Sequence, residues 1–364
     1  MSRRQSRLPK ATSGPGIARA LALLAAAGLA GGCSTAAYYG QAIGGQAQIV
    51  LGKRDAAEVI AERGAAEGDA LAGQLRLAAE IVAFAESEMG LAAKGSYADY
   101  IDLGRPHIVW SVVAAPEFST EPKEWWYPFL GSLSYRGFFS EARAERFAAK
   151  LRARGLDVWV AGIDAYSTLG WFDDPLLNTF IDYPEHDLVA LICHELSHQR
   201  LYVPGDTDFN EAFAVAVERE AQRRWVATRG SGGEADVFRR RERRRAELRA
   251  ALFAARDDLA ALYARAEADA WPAEKTRAAK AGRLDALRTE YRRLALRHSR
   301  TGNAPLADDL NNALLGSLAT YYDLVPAFEN LLAQCGGDLD AFYAEAERLG
   351  KLPADERRRL GFGH

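Results

Sequence analysis

The chain is poor in cysteine, nearly balanced in charge and without an apolar run long enough to cross a bilayer. Three cysteines in 364 residues exclude a disulfide scaffold, so stability rests on a packed core. A chain of this length, 49% hydrophobic, can build one. A net charge of -3 gives no global attraction to nucleic acid or acidic membranes. The apolar run from Ile17 to Ala30 falls short of the roughly 20 residues that a spanning helix needs. No internal repeat is present, and no low-complexity segment beyond an alanine bias.

What is present begins with a distinct N-terminus. "MSRRQSRLPK" carries Arg3, Arg4, Arg7 and Lys10 and no acid; the apolar run comes next, and then "GGC". Basic, apolar and small residues in that order form a secretory signal. "LAGGC", ending at Cys33, resembles the bacterial lipobox, which implies a signal over residues 1–33, lipidation of Cys33 and a membrane anchor. Ser34 is not the aspartate of inner-membrane retention, so the expected location is the outer membrane, facing the periplasm. Cys193 and Cys335 would remain, and the expectation is two buried free thiols.

The remainder, 34–364, reads as one α+β, mostly helical domain. Leu71, Leu75, Ile81, Val82 and Ala85 recur at helical spacing. "HIVWSVVAAPEF" is β-branched and aromatic, a buried strand. "WWYPFLGSLSYRGFF" suggests strand, turn and strand, and a helix from a Ser140 cap to Arg154 comes after it. "LDVWVAGIDAYSTLGWFDDPLLNTFI" suggests one or two strands split at Asp173-Asp174-Pro175. From Asp187 onward the pattern is helical. Its charged stretch 234–299 is expected to form an antiparallel hairpin inserted into the domain and projecting from the core, with Pro272 starting the second arm. "RRRERRR" (Arg239 to Arg245) reads as a solvated helix face.

The chemistry lies in "HELSH". His194 and His198 are four apart and share a helix face, so both imidazoles can reach one ion. Two imidazoles, a carboxylate and an open position make a catalytic zinc site. Glu195, beside the first ligand, is placed to take a proton from the attacking water. Val189, Leu191, Ile192 and Leu196 make this an apolar helix, in which unpartnered histidines would be costly. Pro204 and Gly205 then reverse the chain, and Asp206 or Asp208 can start a second helix. Glu211 and Glu218, seven apart, face one way there, and either can supply the third ligand.

"FNEAFAVAVE" resembles the corresponding stretch of the glutamate-ligand zincins, including the aminopeptidase N group. That resemblance makes Glu211 the ligand of one Zn2+ per chain and Glu218 a residue that orients a histidine. Together "YYGQA", "YADYIDLGR", "VVAAPEFS", "YRGFF", "AYSTLGWFDDP", "HELSHQ", "FNEAFA" and "NNALLGSLATYYDLVPAF" resemble a family of bacterial lipoproteins described as zinc aminopeptidases. It implies a zincin-like catalytic body with a small sheet, and a peptide substrate.

Zincins commonly bind substrate against an edge strand. "AYSTLGWFDDP" is the candidate here, with Gly170 allowing close backbone approach and Trp171 walling a pocket. Glu117 could bind the substrate's ammonium group; the glutamate-bearing G-A-M-E-N loop of aminopeptidase N is absent. In glutamate-ligand zincins a tyrosine often stabilises the oxyanion. "ATYYDLVP" offers Tyr321 and Tyr322, and Tyr321 is the choice. Asn311 and Asn312 could bind peptide backbone or cap a helix. Rival readings are an endopeptidase using the same site, and a zinc-containing scaffold binding an unknown protein partner through the hairpin.

Overall fold

The computed structural model describes residues 45, 48–64, 68–127, 131–165, 167–168, 170, 172–229, 232–298 and 306–363, with the backbone alone for 232–235, 297–298 and 319–321. By its contacts the chain divides into 1–51 and 52–364. Cys33 and the expected signal segment lie outside the described residues. Among the described residues, no helix is long and apolar enough to cross a membrane.

The second unit, 52–364, is α+β and mostly helical. It opens with β1 (Arg54–Asp55), α1 (Ala56–Arg63), α2 (Ala70–Ser87), β2 (Asp99–Ile101) and β3 (Val109–Ala115). Next come β4 (Trp125–Tyr127), β5 (Gly131–Leu133), β6 (Arg136–Phe138), α3 (Glu141–Arg152), β7 (Asp157–Ile163) and β8 (Leu176–Leu177). The helical half comprises α4 (Glu185–Arg200), α5 (Thr207–Arg229), α6 (Gly232–Ala268), α7 (Ala273–His298), α8 (Asn312–Tyr322), α9 (Val325–Gln334), α10 (Leu339–Gly350) and α11 (Ala354–Arg359).

In place of one small sheet, the described strands form three. β3 is the centre of the sheet β6-β3-β7, antiparallel to both neighbours. From Trp110 to Ala115 it is buried throughout, Ser111 included, as a mostly apolar strand covered on both sides is. β1-β2-β8 and the hairpin β4-β5 make the other two. Ser140 precedes α3 in extended backbone, but its side chain makes no capping bond. In β7, Gly162 lies under the His107 ring, where an added Cβ would come within 2.2 Å of it, so no larger residue fits without moving that ring.

The hairpin does not project from the core. α6 and α7 bury an apolar seam of Leu252, Leu259, Tyr263, Leu284, Leu287 and Tyr291 together with Leu310, Leu314 and Leu315 from the region of α8. α8 itself packs across β3 and β7. Polar clasps hold the tip side down. Lys280 Nζ donates to Asp157 at 2.7 Å and to the Glu117 carbonyl at 2.9 Å, and Arg277 Nε meets Glu117 Oε1 at 2.5 Å. A seam that is apolar on its third side has to lie down on a partner; the heavy charge on the outer faces concealed that side in the sequence.

Candidate metal centre

α4 starts after Pro184, whose carbonyl receives the amides of Asp187 and Leu188, with Glu185 and Asp187 near the positive end of the helix. Leu188, Val189, Ile192, Cys193 and Leu196 are buried, which turns the histidines to the remaining side. The turn into α5 is fixed by one side chain. Asn210 Oδ1 accepts from Val203 N at 2.7 Å, and Asn210 Nδ2 donates to Val203 O at 2.8 Å. Asp206 caps α5 by accepting from Phe209 N at 3.1 Å, and its other oxygen is held by the buried Arg357. Phe209 and Phe213 pack among Phe328, Phe342 and Tyr343 behind α5. That anchorage points Glu211 and Glu218 back toward α4.

His194, His198 and Glu211 bring one donor atom each to within 4.8 Å of one another, a group that can hold a metal ion. His194 Nε2 is 3.3 Å and His198 Nε2 3.9 Å from Glu211 Oε2. Ligands at about 2.0–2.1 Å from one tetrahedral ion stand about 3.3 Å apart, so the donor set fits zinc in kind and nearly in spacing. Glu218 sits elsewhere, with its Oε2 2.9 Å from His194 Nδ1, fixing the ring with Nε2 toward Glu211.

Burial alone would lower the affinity of His194 for a proton, but hydrogen bonds to Glu211 and Glu218 outweigh it and raise the pKa well above its ordinary value. Two carboxylates on one imidazole thus create a strong demand for positive charge. His198 is pushed by burial down to about 4, so its imidazole is neutral and its Nε2 lone pair is free to coordinate. Its Nδ1 is enclosed without a hydrogen-bond partner, a departure from the usual support of a ligating histidine. Burial, with Glu211 and Asp174 nearby, raises Glu195 to about 7, the range in which a carboxylate is an effective acceptor and donor of protons near neutral pH. Cys193, next to His194, is fully enclosed, and burial pushes its thiol up. Cys335 is free but only half-buried, so just one of the two thiols matches the expectation.

A cavity of about 560 Å³ opens beside His194 and Glu195, within the range of small-molecule sites. α5 contributes Glu218 and Arg219 to its wall, and Tyr183 and Tyr322 add their rings. The hairpin supplies a further wall, with Glu242, Arg245 and Arg249 of α6. Part of the arginine run is therefore pinned over the site. Arg241 contacts His186, and Arg245 pairs with Asp187 at the start of α4.

Other expectations fare differently. The segment 164–175 is not an edge strand; its described residues form a folded loop. Thr168 N donates to Asp174 Oδ2 at 3.0 Å, and Tyr97 N to Asp174 O at 2.6 Å. Asp174 N donates to Ser96 Oγ at 3.2 Å, and that oxygen also accepts from Gln199 Nε2 on α4 at 3.0 Å. The loop is thereby spent on bracing α4. Gly170 has φ +75° and faces Gln199, so its glycine serves the turn. Trp171 and the Tyr321 side chain lie outside the described residues.

Glu117 is consumed by Arg277, not left free for an ammonium group. Asn311 caps α8, accepting from Leu314 N at 3.1 Å. The buried Asn312 bonds Tyr263 and the carbonyls of Pro116 and Glu117. Both are structural.

Sequence reasoning did not single out Tyr183. Its hydroxyl donates to Asp164, which also meets His107 Nδ1 at 2.5 Å. Nor did it find Tyr97, whose φ of +66° is a strained backbone for a bulky residue. Burial, and then the nearby Glu195, raise the pKa of Tyr97. Tyr183 belongs to none of the quoted blocks, and Tyr97, though it opens "YADYIDLGR", carries no local sign of a role; only the fold brings them near Glu195 and the cavity.

The family described as "Putative aminopeptidase" matches residues 37–360, almost the whole of the chain. The chain belongs to this family. Comparison with curated proteins and with solved structures finds no match.

Proposed function

We propose, from that family membership, that the chain is a zinc-dependent aminopeptidase whose centre is His194, His198 and Glu211. The observation that carries this reading is the convergence of these three donors on one point, with Glu218 on the far nitrogen of His194 and Glu195 beside the same cavity. Bound there, zinc would polarise the peptide carbonyl and make water acidic enough to attack near neutral pH.

The residues do the rest. Glu195 accepts the proton of the attacking water and passes it to the leaving amine, a task suited to its raised pKa. Glu218 keeps His194 in one tautomer. Tyr322, in the cavity wall, would donate its hydroxyl to the developing oxyanion. Residues 1–33 act as a lipoprotein signal, and acylated Cys33 holds the enzyme on the outer membrane facing the periplasm.

Metal analysis of the purified chain, followed by mass spectrometry of free and N-acetylated peptides incubated with it, tests the proposal. Stoichiometric zinc and stepwise loss of N-terminal residues from free peptides alone are expected. Glu195→Gln is expected to slow the reaction by about 10²- to 10⁴-fold. Absence of zinc would overturn the metal assignment, and internal cuts in acetylated peptides would make the enzyme an endopeptidase.

A further inference from the structure

The charges around the cavity pair off with two exceptions. Asp187 and Glu242 are met by Arg245. Glu218 is met by His194, and Arg219 by Glu329 at 2.6 Å. Among the described cavity-lining residues, Glu195 and Arg249 are left without an ion pair. The role proposed above accounts for Glu195. It leaves Arg249 unexplained.

Arg249 lies half-buried on α6, with its guanidinium 5.2 Å from the centre of the Tyr322 ring. Arg219 approaches the same ring at 6.0 Å. Burial and then the Arg219 cation lower the pKa of Arg249, with Tyr322 and Glu242 opposing and Arg245 adding to the decrease. A guanidinium stays charged in any protein, and a half-buried cation held against a ring but without an ion pair among the described residues is incompletely compensated. A carboxylate seated against it would complete that compensation with a charge-assisted, bidentate contact.

We infer that Arg249 binds a carboxylate of the substrate, so that the hairpin selects anionic peptides at the metal centre. This rests on the proposed peptidase reading and narrows its substrate class. Two sources share the chemistry, the free C-terminus of a short peptide and an acidic side chain beside the scissile bond.

The test compares kcat/KM on matched pairs: Leu-Ala against Leu-Ala-amide for the C-terminus, and Glu-Ala-amide against Gln-Ala-amide for the side chain. The wild type should favour the carboxylate member of one pair by roughly 10- to 100-fold, the range of one charged hydrogen bond. Arg249→Gln should collapse that ratio toward one, and Arg249→Lys should retain part of it. The pair that responds identifies the source. Equal rates within both wild-type pairs would overturn the inference, even if Arg249→Gln fails to fold. So would a loss in Arg249→Gln shared equally by both members, which would make Arg249 a packing residue on Tyr322.

If no peptide is cleaved, the peptidase reading fails by itself. Calorimetric binding of the same four peptides to Glu195→Gln protein, with and without Arg249→Gln, then decides the inference alone. Binding that requires both the carboxylate and Arg249 supports it; binding indifferent to either overturns it.

Discussion

The α4–α5 pair and the α6–α7 hairpin are both helix pairs joined by short turns, yet they use charge in opposite ways. Along α4 and α5 the charges that face the centre are few, sit among buried apolar side chains and have shifted proton affinities. Along the hairpin charge is dense on the outer side, and ion pairs such as Arg292 with Asp308 stand largely in solvent. The same carboxylate is a chemical instrument in the first setting and a solubilising group in the second, because water screens one and not the other. The two regimes meet where α6 crosses the start of α4, at Arg245 and Asp187.

The comparison can be broken first at Glu211. Glu211→Ala should abolish stoichiometric zinc after dialysis, and with it peptidase activity, because two imidazoles alone seldom retain the ion; metal analysis reads the result. Full zinc retention would make Glu218 the third ligand. Glu218→Gln is the next smaller step. It should weaken zinc about 10- to 100-fold by competition against a chelating dye, the usual cost of losing a partner behind a ligating histidine.

The hairpin side is sharpened by Lys280→Ala and Arg292→Ala together. Lys280 is well enclosed and grips both Asp157 and a carbonyl, so its loss should cost about 1.5–3 kcal/mol in urea unfolding. Arg292 pairs on the open surface, and its replacement should leave the unfolding midpoint unchanged. Equal effects would dissolve the distinction between clasp and ornament.

The grouping of His194 and His198 on α4 was legible because two side chains that share a site need a fixed spacing on one face and an apolar setting, and "HELSH" among Val189, Ile192 and Leu196 provides both. β3 was legible from its β-branched and aromatic composition, and the arms of the hairpin from a long charged stretch with Pro272 opening the second. The resting place of the hairpin was not, since the side of α6 that meets α8 is a few leucines and a tyrosine scattered through charge. The loop 164–175 misled because aromatic residues next to Asp173-Asp174-Pro175 fit a strand end and a turn equally well. Only the long-range bonds to Ser96 and Tyr97 decide for the turn. Glu117 failed for a similar reason, its partner being 160 residues away on α7.

Cys193 has a use beyond filling space. Its thiol is sealed inside the helix that carries the histidines, whereas Cys335 is partly open. An alkylating reagent added to the native protein therefore runs two clocks on one chain. Modification of Cys335 reports simple access. Modification of Cys193 must wait until α4 leaves its packing, so its lag behind Cys335 measures the free energy of opening at α4.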